Sequence, residues 1–496
     1  MTTVQTPSGA MRGETRRGYS FFRGVRYAQA PVGERRFAPP EPVSSWEGEY
    51  DATQFGASAP QDAEPWGLPQ EPTDEDCLFL NIYTPASDDE RRPVLFWIHG
   101  GAYVVGSGRM FHGGALAREH DVVVVSINYR LGALGFMHVG HLDASLGQSV
   151  NNGVLDQIAA LRWVRDHIAA FGGDPGNVMI FGESAGATTA AMLMGCPDSD
   201  GLFHKAAIHS PNVDLIDVGE GHVAFTNRCI EQLGGDPEAG GLQTLRGASV
   251  DALVGLNASP GPGRVSEPTL AVRRPEMVGF SPAIDGLLIP RPIAETVRQR
   301  GADNVPFLGG GCRHEGTLFP YIVGDGEHSA EEAAAMFQRE GVDGARAMEV
   351  YERFAPGSTP RQKLVYALTD TMFRNSMVRI LDAAAESGGD CWSWMCTWES
   401  SGPEGALRAT HSMDLFFFWG WTELGPTLAG DDAPGDLGAA MRAYWANFAR
   451  TGRPTAEGEP EWPTHRTSDR PVLLLEAERR IEHALDDEVR ALWLGE

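Results

Sequence analysis

The sequence lacks any long apolar segment. None of its runs approaches the ~20 residues that a membrane-spanning helix needs. Its first residues, MTTVQT, also lack the basic and then apolar pattern of a secretion signal. These absences argue against a membrane protein and predict a cytoplasmic one.

Positive charge is scarce as well. The 496 residues include 40 Lys and Arg against 67 Asp and Glu, which gives a formal net charge of -27 at pH 7. A surface of this sign repels nucleic acids and anionic membranes. We therefore expect neither as a partner, and we expect a small-molecule substrate that is neutral or cationic.

Cysteine is the third scarce feature, with six residues and no C-x-x-C pair. Cys391 and Cys396 are five positions apart in the alternating run CWSWMC, so a strand would direct their thiols to opposite faces. This pattern supports neither a disulfide between them nor a metal site. Unpaired cysteines fit a reducing compartment, and no metal or cofactor is predicted.

The most informative segment that is present is FGGDPGNVMIFGESAG, residues 171–186. It reads as a turn, a short apolar strand and a sharp bend with Ser184 at its apex, followed by the small residues of a helix. Gly182 and Gly186 leave room for the tight bend that projects a serine into a cleft. Ser184 is therefore the candidate nucleophile.

A second segment offers donors for the oxyanion that forms when a serine attacks a carbonyl. The strand-like run PVLFWI, residues 93–98, leads into HGGA, residues 99–102. Small residues let backbone N–H groups approach the reacting atom, where a fixed donor contributes about 3 kcal/mol to the transition state. The predicted donors are the N–H groups of Gly101, Ala102 and Ala185.

The nucleophile also needs a base, and the base needs an orienting acid. Among the 14 histidines, His411 follows small residues, precedes an apolar aromatic run and lies after Ser184, as the chain order serine, acid, histidine requires. Two carboxylates are candidates for the acid. Glu315 follows a strand-like run and a glycine-rich turn, and Asp285 lies in the turn AIDG; spacing favours Glu315 but leaves Asp285 open.

These motifs resemble those of the type B carboxylesterases, the carboxylesterase and cholinesterase group with the α/β-hydrolase fold. The resemblance covers nearly the whole chain, and further segments carry it in the family's order: FRGVRYA (22–28), EDCLFLNI (75–82), NYRLG (128–132), NGVLDQ (152–157) and NFARTG (447–452). It implies one catalytic domain over residues 1–496, with a mixed, mainly parallel sheet flanked by helices and insertions that form a gorge. It also selects Glu315, in the triplet HEG, as the acid.

The resemblance implies supporting roles for other residues. Ser210 matches a serine that supports the histidine and its neighbours, and Glu183 and Asp414 match an acidic pair that orders buried water. Many animal members close a disulfide onto the cysteine that Cys77 matches, but no cysteine precedes Cys77 here, so that bond cannot form. Trp66 is one position out of register with the cation-binding tryptophan of cholinesterases, which argues against a choline site.

The sequence thus predicts a serine esterase that cleaves carboxylic esters through an acyl-enzyme. Carbamate or amide hydrolysis by the same residues is the alternative, and a non-catalytic binding module is a remote one. The small oxyanion loop implies room for esters of bulky alcohols. Two pairs, Arg36 with Glu75 and Arg130 with Asp156, match structural ion pairs of the family. A monomer and a small homo-oligomer both remain open.

Overall fold

From residue 92 to residue 475, apolar strands alternate with helices. A computed structural model describes residues 1–64, 67–258, 268–270, 278–402, 405–421 and 428–495. Within these residues, thirteen strands form one sheet. The strands are β1 (Thr2–Thr6), β2 (Gly9–Arg16), β3 (Tyr19–Arg26), β4 (Glu49–Asp51), β5 (Phe79–Thr84), β6 (Arg92–Ile98), β7 (Val123–Ile127), β8 (Gly173–Glu183), β9 (Lys205–His209), β10 (Phe307–Cys312), β11 (Cys391–Cys396), β12 (Pro471–Leu475) and β13 (Arg480–His483).

The sheet has a parallel centre and antiparallel edges. Its order is β1-β2-β3-β5-β7-β6-β8-β9-β10-β11-β12-β13, and β4 pairs with β2 outside this path. The strands from β7 to β12 in this order pair in parallel. The strands outside this block on the main path pair antiparallel. This topology confirms the predicted mixed, mainly parallel sheet.

Helices cover both faces of the sheet. The described helices are α1 (Gly114–His120), α2 (Gly132–Phe136), α3 (Asn152–His167), α4 (Ala185–Leu193), α5 (Glu220–Gln232), α6 (Gly241–Gly247), α7 (Val250–Gly255), α8 (Ile293–Arg300), α9 (Ala330–Arg339), α10 (Gly344–Phe354), α11 (Pro360–Thr369), α12 (Asn375–Glu386), α13 (Met413–Trp419), α14 (Leu437–Thr451) and α15 (Asp487–Leu494). None of these helices is both long enough and apolar enough to cross a membrane.

The central strands supply side chains to two separate cores. In β6, Phe96 and Ile98 belong to the core under α3, α4 and α12, whereas Leu95 and Trp97 belong to the core under α1, α13 and α14. Successive residues of a strand point to opposite faces, so a strand covered on both faces is apolar throughout. A third cluster joins α9, α10, α11 and α15.

The two cores also separate the thiols of β11, as the sequence predicts. Cys391 belongs to one core and Cys396 to the other. All six cysteines are buried thiols, Cys77 included. Both predicted ion pairs are present.

Those ion pairs lie in the interior. Arg36 contacts Glu75 at 2.6 Å, and Arg130 contacts Asp156 at 2.7 Å. The second pair is nearly inaccessible to solvent, so each charge depends on its partner for compensation.

Candidate active site

Ser184 lies at a sharp bend between β8 and α4. Its backbone has φ 54° and ψ −120°, a conformation that residues with a side chain rarely adopt. A Cβ atom on Gly182 would lie 2.6 Å from the carbonyl carbon of Gly186, and one on Gly186 would lie 2.1 Å from the oxygen of Ile98. Glycine at both positions therefore permits the bend, and the surrounding backbone holds the serine in a strained conformation.

The loop after β6 brings small residues beside the bend. A Cβ atom on Gly100 would lie 3.1 Å from the Cβ of Ser184. Gly101 has φ 103°, and the exposed Ala102 has φ 53°. In the described part of the chain, the backbone N–H groups of Gly101, Ala102 and Ala185 donate to no acceptor. These three groups are thus free to donate to a bound molecule.

His411 and Glu315 are joined by a short hydrogen bond. Nδ1 of the imidazole donates to Oε2 of the carboxylate. The side chains are 5% and 1% exposed, respectively. Glu315 follows β10 and His411 precedes α13, so the fold brings together residues that are 96 positions apart.

The second oxygen of Glu315 is held by two donors. The Ser210 hydroxyl donates to Oε1 at 2.6 Å, and the Cys312 backbone N–H donates to the same atom at 2.5 Å. A Cβ atom on Gly311 would lie 2.5 Å from this oxygen, so only glycine leaves it room. Ser210 therefore reaches the histidine through the carboxylate that it contacts.

The other imidazole nitrogen lies beside a second carboxylate. Nε2 of His411 is 3.0 Å from Oε1 of Glu183, and the Ser412 hydroxyl donates to that oxygen at 2.6 Å. Because Glu183 immediately precedes Ser184, Nε2 lies close to the bend. Among the described residues, its polar contact is with Glu183 and not with the Ser184 hydroxyl.

These carboxylates determine the protonation of His411. Burial acts to lower the pKa of His411, but the charges of Glu183 and Glu315 outweigh it and raise that pKa to about 9. Burial raises the pKa of Glu183 to about 7, against the opposing effect of His411. His411 is thus favoured as a cation at neutral pH, and it must lose a proton before it can accept one.

Asp414 has different neighbours from Glu183. Nδ1 of His209 donates to its Oδ2 at 2.7 Å, and the Cys312 thiol donates to its Oδ1 at 3.5 Å. The Trp445 indole donates to Nε2 of His209 at 2.9 Å, so the proton of His209 is on Nδ1. This buried series of hydrogen bonds adjoins the turn that carries Glu315, because Cys312 also donates its backbone N–H to Glu315.

Asp285 has the contacts of a turn carboxylate. Its Oδ1 accepts from the backbone N–H groups of Leu287 and Ile289, and its Oδ2 accepts from the Asn151 amide at 3.0 Å. The carboxylate that contacts His411 Nδ1 is Glu315. The other residue discussed from the sequence, Trp66, lies outside the described residues.

Comparison with known proteins decides the family. The model of the carboxylesterase family matches residues 1–493. The chain belongs to the carboxylesterase family. It is 33% identical to the para-nitrobenzyl esterase of Bacillus subtilis (strain 168), over 98% of this chain and 97% of that protein. It is 31% identical to liver carboxylesterase 1 of Oryctolagus cuniculus, over 95% and 88% of the two chains.

Solved structures agree with this assignment. The crystal structure of the Geobacillus stearothermophilus carboxylesterase EST55 is 35% identical and has a TM-score of 0.85, covering 99% of this chain and 100% of that chain. The protein is therefore a carboxylic ester hydrolase with the α/β-hydrolase fold, and its substrate is a small-molecule ester. The esterase names of these relatives favour ester hydrolysis over the carbamate or amide alternative, and an enzyme over a binding module.

The carboxylesterase site contains residues that the sequence analysis missed. Ser412 and His209 bind the carboxylates of Glu183 and Asp414. Phe373 stacks on the His411 ring, with ring centroids 4.5 Å apart. Ser412 could have been suspected because it is adjacent to His411, but Phe373 lies in an ordinary helical pattern and carries no local signal.

Proposed function

We propose that Ser184 is the nucleophile of this carboxylesterase, that His411 is its general base and that Glu315 orients the base. The hydrogen bond from His411 Nδ1 to Glu315 carries the proposal, because it leaves Nε2 on the side of the ring that faces the neighbourhood of Ser184. A carboxylate on Nδ1 also keeps the unprotonated nitrogen of the neutral ring at Nε2.

The reaction consists of two acyl transfers. Neutral His411 takes the hydroxyl proton of Ser184 as the oxygen attacks the ester carbonyl, and it then gives that proton to the leaving alcohol. Water, activated in the same way, releases the acid from the acyl-enzyme. The N–H groups of Gly101, Ala102 and Ala185 donate to the oxyanion in both steps.

The remaining polar residues act in support. Ser210 fixes the orientation of Glu315 through its 2.6 Å hydrogen bond. Glu183 attracts the proton on Nε2 of His411 and so favours the imidazolium that forms in the transition state. Asp414 holds His209 in place by accepting the hydrogen bond from its Nδ1.

The substrates are neutral or cationic esters, including those of bulky and tertiary alcohols. The net charge of -27 and the carboxylate of Glu183 disfavour an anionic substrate. The loop geometry supports the acceptance of bulky and tertiary alcohols, because the Gly101 carbonyl accepts from the N–H groups of Val104 and Val105, each at 3.0 Å. A carbonyl engaged inside its own loop leaves the alcohol side of the pocket open.

Domain organisation and compartment complete the proposal. One sheet extends from β1 at Thr2–Thr6 to β13 at Arg480–His483, which supports a single catalytic domain over residues 1–496. The buried thiols support a location in the reducing cytoplasm. Fractionation of the source cells with an antibody to the enzyme tests the compartment.

Labelling with an organophosphate tests the nucleophile. We expect mass spectrometry to find the label on Ser184, and we expect Ser184→Ala to be inactive and unlabelled. Ser412→Ala is the matched control, since Ser412 also lies at the site but binds Glu183; it should still be labelled at Ser184. A label on another residue, together with an active Ser184→Ala variant, would overturn the assignment.

A further inference from the structure

An unusual helical turn lies next to His411. The turn Asp370–Arg374 has π-helical geometry and joins α11 to α12 without a break. Such turns are rare and recur at functional sites, since the additional residue redirects the side chains. Thr369 is the residue just before this turn. Its hydroxyl accepts a hydrogen bond of 3.1 Å from the backbone N–H of Gly316, so the start of the turn is linked to the loop that carries Glu315.

The π turn presents Phe373 to His411. Their ring centroids are 4.5 Å apart and their planes differ by 24°, so the two rings are stacked. Phe373 is 5% exposed, and Phe319 lies 5.3 Å from the imidazole on an adjoining side. An aromatic face attracts a cation, and a stacked ring restricts rotation of the ring that lies on it.

Buried charges fix both ends of the π turn. Asp370 accepts a hydrogen bond of 2.5 Å from the Tyr351 hydroxyl and lies 3.3 Å from the guanidinium of Arg374. Arg374 is 3.5 Å from Asp486 and donates to the backbone oxygen of Arg313 at 3.0 Å. Arg313 pairs with Asp486 at 2.7 Å. We call these five residues the ionic clamp; it connects the π turn to the chain just before Glu315.

Phe373 and Phe319 are uncharged neighbours of a base that several carboxylates also surround. Glu183 contacts His411 from the end of β8 and Glu315 from the turn after β10, and the charge of Asp414 acts on it from α13. A substitution of Phe373 therefore removes a ring contact and leaves every carboxylate around His411 in place.

We propose that Phe373 is a positioning residue for His411 and that the ionic clamp acts on catalysis by fixing the π turn that carries Phe373. The proposal rests on the role of His411 given above. Stacking holds the imidazole plane in line with Glu315 and stabilises the imidazolium that forms when Ser184 is deprotonated.

Kinetics of Phe373 variants test the proposal. For an aryl acetate, Phe373→Leu should lower kcat by about tenfold or more with little change in KM, because a mispositioned base affects the transition state. Loss of the aromatic face should also move the acidic limb of the pH profile down by about half a pH unit. Phe373→Tyr keeps the ring and should restore most of kcat.

Phe448→Leu is the matched control. Phe448 is buried and packs edge-on against Trp392 in the core under α1, α13 and α14, so its loss reports the stability cost of removing a packed ring. A Phe373→Leu variant with kcat and pH limb equal to those of Phe448→Leu would overturn the proposal. So would a change confined to KM, which would identify Phe373 as a pocket wall only.

A double-mutant cycle tests the clamp. Asp370→Asn should lower kcat in the wild-type background but have little further effect in Phe373→Leu, because the clamp acts through that ring. Equal effects in both backgrounds would refute this coupling. His411→Ala separates the two proposals: if it is inactive while Phe373→Leu is normal, only the positioning role fails, and if it is fully active, the proposed function fails as well.

Discussion

Replacing Glu183 with glutamine should move the pH dependence of catalysis. Oε1 of this carboxylate lies 3.0 Å from Nε2 of His411. Of the charges that raise the pKa of His411 to about 9 against the effect of burial, that of Glu183 acts most strongly. Glutamine has nearly the same size and keeps an oxygen that can accept from Ser412, but it is uncharged. The neutral imidazole should therefore form at a lower pH in the variant.

The size of the change follows from the distance. An opposite charge within about 4–6 Å shifts a pKa by about 1–3 units, so its removal should lower the pKa of His411 by about that amount. Since the base must be neutral, kcat/KM falls as the pH drops below the pKa of the free enzyme. The acidic limb of the wild type should lie above the ordinary histidine value of about 6.5. That of Glu183→Gln should lie about 1–3 pH units below the wild-type limb.

The assay is the pH dependence of kcat/KM for an activated aryl acetate, measured at constant ionic strength with buffer hydrolysis subtracted. Asp285→Asn is the control, because it also removes one carboxylate charge. The Asp285 carboxylate accepts from the backbone N–H groups of Leu287 and Ile289 in its own turn. The limb of this variant should coincide with that of the wild type. The reasoning is refuted if the limb of Glu183→Gln coincides with the wild-type limb or moves to higher pH.

Three further outcomes are expected. Glu315→Gln should lower kcat by about a thousandfold or more with an unchanged circular dichroism spectrum, because the imidazole loses its orienting charge; high turnover in this variant with loss in Asp285→Asn would make Asp285 the acid. Ala102→Gly should keep activity within about threefold, since Ala102 already has a positive φ, whereas Ala102→Val should slow esters of tertiary alcohols more than aryl acetates; equal slowing would contradict a steric effect. Thiol reductants should change neither the melting temperature nor the intact mass, as Cys77 and the other cysteines are thiols; a gain of two hydrogens would show a disulfide.

Local sequence was sufficient for the bend at Ser184 and for the small-residue loop at residues 99–102. Each lies within a few residues, and each depends on glycines whose absence of a side chain is visible in the sequence. The structure gives the distances that make Gly182 and Gly186 necessary, but it does not change the prediction. The parallel strands were predictable for a related reason, because strands covered on both faces are apolar throughout.

The carboxylate partner of His411 required information from beyond local sequence. Spacing left both Glu315 and Asp285 open, and the resemblance to the carboxylesterases selected Glu315. The structure shows the Glu315 contact across 96 positions of the chain and shows Asp285 bound to its own turn. No local pattern encodes such a distance, because it depends on how β10 and the loop before α13 meet.

The electrostatics of His411 were decided by tertiary structure alone. The sequence identifies His411 but not its surroundings, whereas in the fold the charges of Glu183 and Glu315 outweigh burial and raise the pKa of His411. The stacked ring of Phe373 is equally a product of the fold, since the π turn that carries it pairs with buried charges from distant segments. Residue types and short turns are properties of the sequence, but burial and through-space charge exist only once the chain has folded.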